Sequence, residues 1–384
     1  MTTLITGATG FLGRHLLWDL LRREDGLETV HCLMRPSRRA TPERRLDQLL
    51  GPIGGMLPPE ARARCHAVAG DITDEALITD PADRARLVGE VDRIIHCAAT
   101  VQFDTPLEDA RRINVMGTHN VLRFAADAQA AGGLRRVDHF STAYVAGKTE
   151  GVAREDELVP VEFNNTYEQT KWESEQLVRE RQHDLPISIF RPSIIVGDSR
   201  TGYTSNFRVL YWPLKALSTG LAVVVPLDAK GLVDLVPVDY VVDAFDALSR
   251  SDESLGRCYH LAAGPQGQST CGELLDMATK FFGVRRPLLI SPRISYRVVR
   301  PLLYATLWGR RRPLLRQGEQ FFPYFAYRAS FDTAAVDAGV GPDEVTRPVV
   351  GEYFHTILEY CVATEWGTKR PASPTSDDEV VEDS

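Results

Sequence analysis

Tyrosine is followed four residues later by lysine three times in this 384-residue chain, at Tyr144/Lys148, Tyr167/Lys171 and Tyr211/Lys215. On a helix that spacing puts both side chains on one face. A lysine charge there lowers the phenol's pKa, so the tyrosine can hand a proton to an oxygen gaining negative charge, as in hydride addition to a carbonyl. Spacing alone does not choose among the pairs, but context does. Gly147 interrupts the first pair just after an expected strand, and Pro213 interrupts the third, so neither is expected in a regular helix. Residues 167–175 contain no glycine or proline and lead into a helical pattern, which makes Tyr167/Lys171 the expected catalytic pair. Just upstream, Ser141 and Thr142 close an expected strand, where a hydroxyl can bond a substrate carbonyl. Thr142 is preferred and Ser141 stands second, although such a hydroxyl more often caps a turn.

A second set of residues suits a phosphate. Gly7, Gly10 and Gly13 stand three apart after an apolar run and before a helical one, with Thr9, Phe11 and Leu12 filling the turn between them. Gly7 permits the tight strand-to-helix turn, Gly10 lets the backbone approach a pyrophosphate, and Gly13 allows close helix packing beside the helix N-terminus. About twenty residues further on, where an NAD-binding protein places an acid for the ribose hydroxyls, the chain has Arg35 with Arg38 and Arg39 close by. Guanidinium groups there suit a 2′-phosphate, so NADPH is the expected cofactor. Asp71 and Ile72 follow the third expected strand, where an adenine edge is met. Ala98 and Ala99 are small enough to let a cofactor pass over the end of the fourth.

These residues need a scaffold. Short β-branched runs at 3–6, 29–34, 67–69, 93–96, 136–141 and 187–191 alternate with helical patterns at 12–23, 106–130 and 167–181. That alternation is the mark of a parallel sheet wound with crossover helices, so the expected class is α/β with a Rossmann-type doubly wound sheet. After residue 191 the pattern breaks. Runs at 235–238 and 259–262 read as further strands, and residues 269–358 read as mostly helical. We therefore expect a cofactor domain over 1–200 and 232–264, a smaller, mostly helical substrate-binding region over 201–231 and 265–366, and a disordered acidic tail over 367–384.

Composition bounds the function. Hydrophobic residues at 43% and charged residues at 25% describe an ordinary globular enzyme, and the net charge of −8 gives no footing for nucleic acid. Six cysteines are scattered without a C-x-x-C pair, which suggests neither a metal site nor a disulfide framework. There is no signal-peptide pattern and no apolar run long enough to span a bilayer, so a cytoplasmic location is expected, with peripheral membrane contact left open. G-x-S-x-G and H-E-x-x-H motifs are absent.

With these residues in view, the chain resembles the extended short-chain dehydrogenases, and within them the fatty acyl-CoA reductase and thioester reductase branch that also supplies the terminal domain of carboxylic acid reductases. The resembling segments are 6–13, 94–101, 112–118, 141–147, 191–199, 234–241 and 331–333, and the similarity runs from Leu4 to about Tyr360. The resemblance implies a catalytic triad of Thr142, Tyr167 and Lys171, with Asn114 shaping the site and relaying protons through water. It places Pro192, Ser193 and Ile194 beside the nicotinamide. The implied reaction is hydride attack on an acyl thioester of coenzyme A or a carrier protein, expulsion of thiolate to give an aldehyde, and optionally a second reduction to the alcohol. Thioester reductase units are often fused behind activation and carrier domains. This chain opens at its phosphate loop, so its substrate is expected to come from elsewhere.

In the substrate half, the apolar and aromatic segments 298–308 and 321–325 suit either an alkyl channel or plain core helices. Arg310, Arg311, Arg312 and Arg316 suit coenzyme A phosphates, an acidic carrier protein, lipid headgroups or simply solvent. Two rival functions stand beside the thioester reading. One is an extended dehydrogenase for a sterol, free aldehyde or nucleotide sugar, and the other is a non-catalytic NADP(H)-binding regulator. The sequence is silent on oligomeric state.

Overall fold

A computed structural model describes residues 1–22, 28–37, 40–51, 57, 59–207, 210–220, 222–291, 324, 327–341 and 344–369. Arg38, Arg39, the 298–308 segment, the 321–325 segment apart from Tyr324, the Arg310–Arg316 cluster and the chain beyond 369 lie outside the described residues.

Strands buried on both faces need apolar residues or polar ones with buried partners; Leu4, Ile5, Ile94 and Ile95 supply the first kind, and the buried Arg136–Asp138 ion pair of the fifth strand supplies the second. Seven strands form one parallel sheet: β1 (Thr2–Thr6), β2 (Thr29–Met34), β3 (Cys65–Ala69), β4 (Arg93–His96), β5 (Arg136–Phe140), β6 (Ile187–Pro192) and β7 (Cys258–Leu261). Their spatial order is β7-β6-β5-β4-β1-β2-β3, and each neighbouring pair runs parallel. The expected doubly wound sheet is present. Successive residues on a strand point to opposite faces, so Ile5 and Ile95 pack under α1 (Phe11–Arg22), while Leu4 and Ile94 pack under α2 (Gly117–Ala130) and α3 (Thr166–Arg181). Strand order reverses between β1 and β4. In such sheets this switch point opens a crevice at the carboxyl ends of the strands, which is where ligands bind.

A third apolar cluster lies apart from the sheet. Tyr211 and Leu214 of α4 (Tyr211–Ser218), Leu274 and Leu275 of α6 (Cys271–Phe282), and Tyr353, Phe354 and Ile357 of α7 (Val350–Ala363) pack on Val196 and Leu235. Helix α5 (Val238–Ser249) covers the α1 face of the sheet instead. The run at 235–238 is a strand, but Leu235–Pro237 pairs with Ile194–Val196 outside the main sheet.

Among the described residues of 269–358, Leu288–Ile290 and Ala329–Phe331 are short strands, paired with Val224–Pro226 and Gly151–Ala153, beside the helices at 271–282, 334–339 and 350–363. Two expectations need correction. The 106–130 helix is interrupted, since Leu107–Arg111 passes into a single π-helical turn, Arg112–Met116, before α2 begins. The start of the tail is ordered. Residues 367–369 form a turn in which the Lys369 N–H donates to the Thr364 carbonyl at 3.0 Å. Among the described residues, no helix is long and apolar enough to cross a membrane.

Candidate active site

The glycine turn sits at the switch point. Gly7 follows β1 with φ +80°, in the left-handed region that favours glycine. A Cβ on Gly7 would lie 2.6 Å from the Ala98 nitrogen, and one on Gly13 would lie 2.2 Å from the Gly7 carbonyl oxygen. Neither contact is relieved by moving a side chain, because both partners are backbone. At Gly10 a Cβ would meet only the Gly7 oxygen, at 3.2 Å. Helix α1 carries no acid in its first turn, so no acid of the helix itself opposes an anion at its N-terminus. The cradle fits a dinucleotide pyrophosphate. We expect Gly13→Ala to lower the melting temperature by several degrees and abolish dinucleotide binding, and Gly10→Ala to fold like the parent while binding more weakly. Thermal melts with a fluorescence titration check both, and an unshifted melt for Gly13→Ala would refute the close-packing argument.

A cleft of about 580 Å³ opens over this turn. Gly7, Gly10, Phe11, Leu12, Gly13 and Ala99 line one side, and Thr142, Tyr167, Lys171, Pro192, Ser193 and Ile194 line the other. Thr142 ends the β5 segment and caps the short 3₁₀ turn Ala143–Ala146, where its hydroxyl accepts from the Tyr144 N–H at 3.3 Å. Tyr167 and Lys171 share the first turns of α3, whose N-cap Asn165 accepts the Glu168 N–H at 2.9 Å. Burial pushes the Tyr167 phenol up to about 12, with Thr142 pulling it back and the Glu168 charge adding to the rise. Burial lowers the Lys171 ammonium to about 8, against the upward pull of Glu175 and Cys97. The Lys171 Nζ donates to the Phe140 carbonyl at 2.8 Å. The local pull on Tyr167 comes from Thr142.

Of the three pairs, only Tyr167/Lys171 has both members in the cleft lining. Tyr144 is buried in an aromatic cluster while Lys148 sits at the surface beside Glu162. Tyr211 accepts the Gly197 N–H at 2.9 Å while Lys215 faces solvent. One premise is corrected: Pro213 does lie within a regular helix, α4. It occupies the first turn, whose N–H groups have no intrahelical partner, so the missing donor costs nothing there. Ser141 is committed elsewhere, because its hydroxyl donates to Glu175 at 2.6 Å.

The remaining sequence-predicted residues lie outside the cleft lining. Asn114 is buried in the π turn, accepting the Thr100 N–H at 2.8 Å and donating to the Thr170 hydroxyl at 2.9 Å. Thr9 is exposed on the glycine turn, and Ala98 lies against Gly7. Arg35 is 72% exposed at the end of β2, 3.8 Å from Asp71. Asp71 turns the chain by accepting the Thr73 N–H, and Ile72 packs on Gly117.

Several contributors carried no usable sequence signal. Arg45 reaches the Arg35 carbonyl. Phe103 and Tyr324 line the cleft beside Tyr167. Thr6, His96 and Thr118 form a buried chain, with the His96 Nδ1 2.7 Å from the Thr6 hydroxyl and its Nε2 3.1 Å from the Thr118 hydroxyl, which donates to the Asn114 carbonyl at 2.7 Å. That chain ties the glycine turn to the π turn, and only the position of His96 at a strand end hinted at it.

Residues 5–245 match the NAD-binding family model described as Male sterility protein. Linear gramicidin synthase of Brevibacillus parabrevis is 33% identical over 67% of the chain, and human fatty acyl-CoA reductase 1 is 30% identical over 62%. The chain spans 5% and 52% of the lengths of these two relatives. Among solved structures, the terminal R domain from the myxalamid PKS-NRPS biosynthetic pathway superposes with a TM-score of 0.78 at 30% identity, over 96% of this chain and 92% of that one. The reductase domain of a nonribosomal peptide synthetase from Mycobacterium tuberculosis does so with a TM-score of 0.68 at 25% identity, over 95% and 91%. The chain belongs to the Male sterility protein family, the fatty acyl-CoA and thioester reductase branch of the extended short-chain oxidoreductases.

Proposed function

We propose that this chain reduces a long acyl thioester, presented on coenzyme A or a carrier protein, to the aldehyde, and that the third apolar cluster, around α4, α6 and α7, carries the substrate-binding region. The observation that supports this most is the meeting of Thr142, Tyr167 and Lys171 with the glycine turn in one cleft. A nicotinamide dinucleotide bound over Gly7, Gly10 and Gly13 supplies hydride for the carbonyl carbon. Thr142 and Tyr167 each direct an O–H toward the carbonyl oxygen, and the phenol proton neutralises the charge that develops there. With its pKa raised by burial, Tyr167 stays protonated at neutral pH and serves as an acid. Lys171, tied to Phe140, holds a positive charge behind the site. Asn114 fixes the π turn, and Pro192, Ser193 and Ile194 form the wall beside the nicotinamide. Return of the proton to the Tyr167 phenolate then lets the adduct collapse to the aldehyde and expel thiolate.

NADPH is the cofactor this reading favours. The end of β2 carries no acid, and Arg35 and Arg45 meet there. We expect Arg35→Asp to lower the preference for NADPH over NADH by about tenfold to a hundredfold, the scale of a lost hydrogen bond between charged groups. The ratio of kcat/KM with the two cofactors measures it, and an unchanged ratio removes Arg35 from the cofactor site. The function itself is tested with purified protein, NADPH and a panel of acyl-CoAs and acyl-carrier proteins, resolving aldehyde from alcohol. Turnover of a nucleotide sugar or hydroxysteroid with none of a thioester would overturn it.

A further inference from the structure

Tyr324 comes from the C-terminal region, 156 residues from its partner Glu168, yet it completes the start of the helix that carries Tyr167. Its hydroxyl donates to the Glu168 carboxylate at 2.6 Å and accepts from the Asn165 amide at 2.9 Å. Glu168 also takes the Asn164 N–H at 2.8 Å, while Asn165 caps the Glu168 N–H. Asn164, Asn165 and Glu168 thus form a reciprocal cap, and Tyr324 closes it from outside. Tyr167 occupies the second position of this helix, in the turn that frays first when a cap is lost.

The ring of Tyr324 has a second neighbour. It stacks on Phe103 with centroids 5.4 Å apart, and Phe103 lies 5.9 Å from the Tyr167 ring. Both rings line the cleft. The residue that closes the cap is therefore also a wall of the space beside the reacting carbonyl.

We propose that Tyr324 is a positioning residue, which holds the first turn of α3 through Glu168 and Asn165 and so couples the aromatic wall of the substrate space to the placement of the Tyr167 hydroxyl. The inference rests on the thioester reading for its substrate but not for its geometry. An acyl chain passing Phe103 presses on the same ring that fixes the acid, so contacts remote from the carbonyl are expressed in the chemical step.

The test uses the full chain with Tyr324→Phe, which keeps the ring and removes the hydroxyl, and Glu168→Gln, which keeps an acceptor for it. Tyr324→Phe should lower kcat about tenfold, the scale of one lost bond to a charged group, with KM for long acyl-CoA within about twofold. Glu168→Gln should lose clearly less, and the double variant should be no worse than Tyr324→Phe alone. Tyr324→Leu, which also removes the wall, should raise KM for long acyl chains more than for short ones. Independently of any substrate, hydrogen exchange at the Glu168 and Gln169 amides should quicken in Tyr324→Phe, with exchange in β5 unchanged. Normal exchange in Tyr324→Phe would overturn the proposal, as would wild-type kcat or fully additive losses in the double variant. Failure of the unaltered protein to reduce any thioester would instead sink the substrate reading, leaving the exchange result to decide the cap.

Discussion

Replacing Tyr167 by phenylalanine is expected to lower kcat by about 10²- to 10⁴-fold while leaving the melting temperature and dinucleotide affinity near those of the parent. The argument starts from the proton. Burial pushes the phenol up to about 12, and the neighbouring Glu168 charge adds to this, so the hydroxyl is fully protonated at any working pH. A protonated phenol beside Thr142 in a confined cleft is a poised donor for an oxygen gaining charge, and phenylalanine keeps its shape without the proton. The alkaline limb of the rate profile then belongs to the lysine. Burial lowers Lys171 to about 8, so its charge is present below that pH and is lost as pH rises through it. We expect kcat to decline above about pH 8 in the parent, with no separate inflection from the tyrosine. Rates with a saturating thioester across the pH range check both points. A Tyr167→Phe protein with more than a tenth of parental kcat would mean that another group supplies the proton.

What could be read from the sequence was local or periodic. Gly7, Gly10 and Gly13 lie within one turn, so the backbone demand and the residues that meet it are adjacent in the chain. Strands such as β1 and β4 could be foreseen because a parallel strand buried on both faces favours apolar runs, as Leu4, Ile5, Ile94 and Ile95 show, whereas the fifth strand instead buries Arg136 and Asp138 as an ion pair. Tyr167/Lys171 could be chosen over its two imitators because glycine and proline disturb helices. Even there the proline argument rested on a wrong premise, since Pro213 is harmless in a first turn. Contributions from distant residues could not be read. Tyr324 meets Glu168 only through the folded C-terminal region, and no spacing marks that meeting. The π turn at Asn114 leaves the apolar periodicity nearly intact, so the segment read as one helix. The direction of Lys171 depends on which carbonyl lies within reach, and strand β5 determines that.

Removing Glu175 is expected to be the most destabilising single change in the site's support. Its carboxylate is fully buried and accepts from the Arg191 guanidinium at 2.6 Å, from Arg179 at 2.9 Å and from the Ser141 hydroxyl at 2.6 Å. Arg191 is equally buried and donates further to the Glu157 carbonyl at 2.8 Å. Burial alone would raise the carboxyl's pKa, but Arg191, Arg179 and Ser141 outweigh it and hold the group at about 2, against an ordinary 4.5. Because the folded value lies below the ordinary one, this stabilisation is fully present above about pH 4.5 and is lost as pH falls toward 2. Glu175→Leu strands the Arg191 charge in an apolar interior, at a cost of about 3–5 kcal/mol. The milder Glu175→Gln should also report on chemistry. Glu175 lies one helical turn beyond Lys171 and raises its pKa, so removing the carboxylate's charge should shift the alkaline limb of kcat below that of the parent. Urea and thermal unfolding at pH 7 and pH 4 measure the first effect, and the pH profile measures the second. A Glu175→Leu protein within about 1 kcal/mol of the parent would show that Arg191 is satisfied by backbone carbonyls alone, and an unshifted alkaline limb in Glu175→Gln would break the link between Glu175 and Lys171.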